Sequence, residues 1–118
     1  QHDPKKLAQR LSYNQILVLS DCYLKSNPAS PIVRKFVDEH IEQFLQHQQI
    51  PHALQSFQDS LLHLDYRQLV SLGLLEDTEL TILDMRFPQS DGSTALIEAP
   101  CRTTRLGNRV IGGLFHIQ

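Results

Sequence analysis

The chain has 118 residues, 41% of them hydrophobic, with only 5 Gly and 6 Pro, so it can build one domain around a proper core and is neither low-complexity nor disordered in composition. Its formal net charge is -2, from 11 Lys and Arg against 13 Asp and Glu, which weighs against a domain held on nucleic acid by charge alone. No apolar run approaches the ~18–20 residues of a membrane-crossing helix, and no signal-peptide pattern is present.

Residues 1–6 are polar and carry Pro4, and read as a flexible N-terminal segment; residues 7–118 read as a single domain. Residues 7–26 form the first predicted helix, with Leu7, Leu11, Ile16, Leu19 and Tyr23 near one face. Ser12 followed by Gln15 has capping-box spacing, so the helix can restart there. Asn27-Pro28 ends it, because the residue before a proline avoids the α region. A second helix is expected over residues 30–48, capped by Ser30 with Pro31 in its first turn. Its stripe of Ile32, Phe36, Val37, Ile41, Phe44 and Leu45 reads as core, or as a partner groove if part of it stays exposed.

Residues 52–58 and Ser60–Leu72 read as two helices or as one longer helix, closed by Gly73. The period then changes. Thr78–Phe87 and Thr94–Ala99 have β-branched, alternating character, and the turn between them contains Asp91-Gly92, so a β-hairpin is expected. A last short helix starts near Thr103 or Thr104 and runs through Val110, with Gly112-Gly113 as its stop.

The step Leu72-Gly73-Leu74, with Leu69 before it and Leu75 after it, is followed by the hairpin and then by Thr104-Arg105-Leu106-Gly107. This order resembles the C-terminal half of a winged-helix domain of the MarR-like regulators. A looser similarity links the same two motifs to the abortive-infection Abi-alpha family. The resemblance covers about half of the chain. It implies an α+β, mostly helical, winged-helix-like domain: three to four helices, a β-hairpin and a short C-terminal helix. It also places the recognition-helix positions at His63, Tyr66 and Arg67. Against this, residues 57–76 hold one Arg with Asp59, Asp65 and Glu76, and the wing tip Gln89-Ser90-Asp91-Gly92 holds no cation, a poor surface for a phosphate groove.

Two basic groups stand out. Arg102, Arg105 and Arg109 fall at i, i+3 and i+7 on the last helix, with Arg86 nearby in the first strand; Lys5, Lys6 and Arg10 cluster at the N-terminus. They meet phosphates or an acidic partner, or form a solvated face paired with Glu98 or Asp84. The two groups make one basic edge only if the chain ends lie close together.

The remaining chemistry is sparse. Of the six histidines, His40 and His47 share a helix but stand ~10.5 Å apart along the axis, too far to hold one ion. No H-x-x-x-H, C-x-x-C, nucleophile elbow or phosphate-binding glycine loop occurs, so no metal, cofactor or catalytic residue is assigned. Cys22 in its apolar helix reads as a buried free thiol, a Cys22–Cys101 disulfide stays open, and a reducing, cytoplasmic setting is expected. The only Met is Met85, so the chain reads as a piece of a longer protein. The reading is therefore a non-enzymatic interaction module that binds another protein, or itself as a homodimer. The alternative is a DNA-binding regulator domain contacting phosphates through Arg102, Arg105 and Arg109.

Overall fold

A computed structural model describes residues 3–46, 52–80, 97 and 99–117, without the side chains of residues 41–46 and 52–61. The described residues form five helices: α1 (Pro4–Arg10), α2 (Tyr13–Ser26), α3 (Pro31–Gln46), α4 (His52–Ser71) and α5 (Arg105–Phe115). Helix α2 is central and packs against α3, α4 and α5, while α1 packs on α5. In α2 the run Leu17-Val18-Leu19-Ser20-Asp21-Cys22 is buried without a break. A helix buried all round needs neighbours on every side, and this one has them.

Local chemistry sets most helix ends. Asp3 caps α1, its side chain accepting from the Lys5 N–H at 3.0 Å, and Pro4 takes the first position, where no N–H is needed. Helix α1 thus begins inside the segment read as a flexible end. Ser12 and Gln15 close a reciprocal capping box, which divides the expected first helix into α1 and α2. The amide of Gln15 also donates to Gln68 on α4. Residues 52–71 are one continuous helix.

Helix α4 ends in a Schellman motif. The Gly73 N–H donates to the Val70 carbonyl and the Leu74 N–H to the Leu69 carbonyl, both at 3.0 Å, with Gly73 at φ 79°. Leu69 and Leu74 supply the accompanying apolar contact and are fully buried. Helix α5 does not stop at Gly112-Gly113. It continues to Phe115 and ends at His116 in the left-handed conformation. Phe115 packs edge-on against Phe36 of α3, ring centroids 5.1 Å apart, which favours continuing the helix through the two glycines.

The winged-helix-like α+β expectation is not met. Among the described residues there is no strand ladder; β character is limited to single bridge positions, Leu75 paired antiparallel with Thr103, and Ile97. Two side chains engage the backbone at the described ends of the expected hairpin. At Asp77-Thr78-Glu79 the Asp77 carboxylate accepts from the Glu79 N–H at 3.1 Å and Glu79 takes φ 59°, so the chain turns where a strand should begin. At the other end the Ile97 N–H donates to the Asp21 carboxylate of α2 at 3.1 Å. Residues 81–96 and 98, and with them the wing tip, Arg86, Asp84 and Glu98, lie outside the described residues.

The core gathers Leu17, Leu19, Leu62, Leu69, Tyr66 and Ile111 with Val33 and Val37 of α3. Ile32, placed on the core stripe by its spacing, is instead half exposed, as is Leu64 of α4. No helix among the described residues is long and apolar enough to cross a membrane.

Candidate functional site

A helix of seven residues has no stability of its own, so α1 exists because α5 receives it. Leu7 is the anchor, 4% exposed, with Ala8 packed beside it. Helix α5 is fixed in turn at its start. The Thr104 hydroxyl accepts from the Gly107 N–H at 3.0 Å and donates to the Gly73 carbonyl at 2.5 Å, while the Thr104 N–H donates to the Leu74 carbonyl at 3.0 Å. Removing the hydroxyl in Thr104→Ala takes away both a helix cap and a tie to the α4 terminus. We expect a loss of about 1–2 kcal/mol in urea unfolding, read as a lower midpoint at an unchanged slope.

Between α1 and α5 lies a cleft of about 730 Å³. Lys5 lines it from α1 and Arg109 from α5, Ala8, Gly113 and Leu114 contribute its apolar part, and Asp3 and His116 also line it. Neither α1 nor α5 contains an acidic residue. The ion pairs among the described residues lie elsewhere, Lys35–Glu39 on α3 and Arg67–Asp77 beside α4, so Lys5 and Arg109 are exposed cations with no ion-pair partner among the described residues. A second, shallower depression on α3 differs: Arg34 donates to the Pro28 carbonyl and Lys35 pairs with Glu39, so its charges are already engaged.

The structure unites the two basic groups in part. The chain termini are close, and six of the 11 Lys and Arg sit on α1, on α5 or just before it. Lys6 and Arg10 are exposed on a flank of α1 that does not line the cleft. Arg105 and Arg109 share the exposed face of α5, whereas Arg102 precedes the cap and lies outside the helix, its carbonyl accepting from the Glu76 N–H. The expected i, i+3, i+7 stripe is therefore a pair.

The proposed recognition-helix residues have other work. Tyr66 is fully buried; its hydroxyl lies 3.1 Å from Thr78 Oγ1, accepts from the Thr78 N–H at 3.3 Å and donates to the Glu76 carbonyl at 3.4 Å. His63 contacts the Leu80 carbonyl and Arg67 pairs with Asp77. All three fasten residues 76–80 onto α4. Tyr13, Phe36 and His40 pack edge-on against one another at the surface, the Tyr13 hydroxyl meeting the His40 ring, whose pKa burial lowers.

Sequence reasoning missed Ala8, Leu114 and His116 as cleft residues. The readable signal was Asp3-Pro4, a cap followed by a first-turn proline, which marks a helix start and so a surface to pack on α5. Among the described residues no group of three or more His, Cys, Asp or Glu gathers as metal ligands would. Comparison with protein-family models, curated proteins and solved structures finds no match for the chain.

Proposed function

We propose that this domain is a non-catalytic protein-interaction module that receives an acidic segment of a partner chain in the α1–α5 cleft. One observation carries the reading: Lys5 and Arg109, exposed and without an ion-pair partner among the described residues, line the cleft together with Ala8, Gly113 and Leu114 in a domain whose net charge is -2. Two cations against one acid, Asp3, beside an apolar surface suit a segment that presents carboxylates next to a small apolar side chain. The partner is a protein, or a second copy of this chain, met in the cytoplasm.

DNA binding through Arg102, Arg105 and Arg109 is the rival reading. It is less well supported, because Lys6 and Arg10 do not line the cleft and Arg102 lies outside α5, so the cations do not form one continuous face. The test is fluorescence anisotropy with a labelled peptide of alternating Glu and Leu, set beside a labelled DNA duplex, at low and moderate salt. Lys5→Glu with Arg109→Glu turns two attractions of about 0.2–1 kcal/mol each into repulsions, so peptide affinity should fall about tenfold or more. Duplex binding tighter than peptide binding, with a steep salt slope removed by Arg105→Ala and Arg109→Ala, would replace this reading with the DNA one.

A further inference from the structure

Glycine loses more conformational freedom on folding than any other residue, so a glycine that the fold does not require points to a use outside the fold. Three of the four described glycines are required. Gly73 sits at φ 79°, and a β-carbon at Gly107 would meet the Leu74 carbonyl oxygen. A β-carbon at Gly112 would stand 2.9 Å from the carbonyl oxygen of Ile117, whose N–H donates back to the Gly112 carbonyl where the chain leaves α5. Gly113 is different. Its φ is not positive, it is exposed, and an added β-carbon would have no neighbour within 4 Å among the described residues. What Gly113 borders is the α1–α5 cleft, one helical turn beyond Arg109, at i and i+4 on the same face of α5. On α1 the cleft is lined by Lys5 and, three residues on, by Ala8, again a cation and a small residue one turn apart.

We propose that Gly113 is the specificity-determining position of the cleft: it leaves bare helix backbone on which an aliphatic side chain of the bound segment rests, provided that the cleft receives the acidic segment proposed for it. Neighbours one turn apart on a helix are about 5–6 Å apart, so a carboxylate at Arg109 and an aliphatic group at Gly113 come from nearby residues of one partner chain. The occupant is accordingly a segment that interleaves acidic and leucine-sized residues, not a run of acids alone. A side chain at position 113 takes the space that the partner's side chain needs. Because the position is open within the fold, it does so without disturbing α5.

Gly113→Ala and Gly113→Leu are compared with the unaltered chain by fluorescence anisotropy, using one labelled peptide of alternating Glu and Leu and one of alternating Glu and Gly, with urea unfolding recorded alongside. Affinity for the Glu–Leu peptide should fall about fourfold in Gly113→Ala, the equivalent of one methylene kept from contact, and about tenfold or more in Gly113→Leu. The unfolding midpoint should hold or rise in both, since alanine and leucine are the better helix formers. The Glu–Gly peptide keeps the charge and has no side chain to seat, so the three proteins should treat it alike, and the unaltered chain should bind it more weakly than the Glu–Leu peptide. If the unaltered chain binds the Glu–Leu peptide and the variants bind it as well or better, the role of Gly113 is overturned and the acidic-segment reading stands. Equal losses for both peptides would likewise overturn that role. An unaltered chain that binds neither peptide would overturn the acidic-segment reading, and the role of Gly113 with it. Should Gly113→Leu unfold at lower urea, Gly113→Ala alone decides.

Discussion

Replacing Gly107 with alanine should destabilise the domain by about 3 kcal/mol, while the same change at Gly113, two turns further along α5, should leave stability level or raise it by up to ~1 kcal/mol. A β-carbon at Gly107 would stand 2.1 Å from the Leu74 carbonyl oxygen and 3.1 Å from its carbon. The obstacle is backbone, and it cannot yield. Leu74 is held by its N–H on the Leu69 carbonyl, and its carbonyl accepts from Thr104. Relief therefore requires α5 to move away, which stretches the Thr104 contacts and uncovers Val110 and Ile111. Each broken hydrogen bond adds roughly 1 kcal/mol to the overpacking cost. At Gly113 nothing lies within 4 Å of the added carbon, so only the better helix propensity of alanine is felt. Urea unfolding followed by circular dichroism separates the two variants, and equal midpoints would show that the α4–α5 junction is looser than its geometry.

That junction shows how far local chemistry could be read from the sequence. Ser12 with Gln15, Gly73 and Thr104 each act through atoms within about five residues, and each was legible as a cap or a stop. Gly107 was visible only as the end of the Thr104-Arg105-Leu106-Gly107 motif, since what it meets is Leu74 and that pairing depends on the tertiary fold. The expected hairpin rested on alternation over Thr78–Phe87 and Thr94–Ala99; at their described ends the Asp77 carboxylate takes the Glu79 N–H and the Asp21 carboxylate takes the Ile97 N–H, long-range and local contacts that alternation does not show. Gly112-Gly113 read as a stop because glycine weakens a helix. The penalty of ~1 kcal/mol each is small beside the packing of Leu114 and Phe115 beyond them. Of the cleft, the cations were visible one by one. Their union was not, because it depends on α1 finding α5 across the length of the chain.

Tyr66 illustrates the same limit, and its substitution should give the other large effect. As the largest fully buried side chain, it should cost about 3–5 kcal/mol when cut to alanine. The resulting hole would lie at the centre of α4, where Leu62 and Leu69 also turn toward α2. Tyr66→Phe keeps the ring and removes only the hydroxyl that holds Glu76 and Thr78. Thr78 is exposed, so water replaces part of what is lost, and a cost of about 1 kcal/mol is expected. The two variants should differ in kind as well as in size. Hydrogen exchange of Tyr66→Phe should speed up at the amides of residues 76–80 and leave α2 protected, whereas Tyr66→Ala should lower protection in α2 and α4 together. Slow exchange at residues 76–80 in Tyr66→Phe would mean that the Arg67–Asp77 pair and His63 hold the segment unaided. Exposed ion pairs contribute at most about 1 kcal/mol, which is why the buried hydroxyl is expected to dominate.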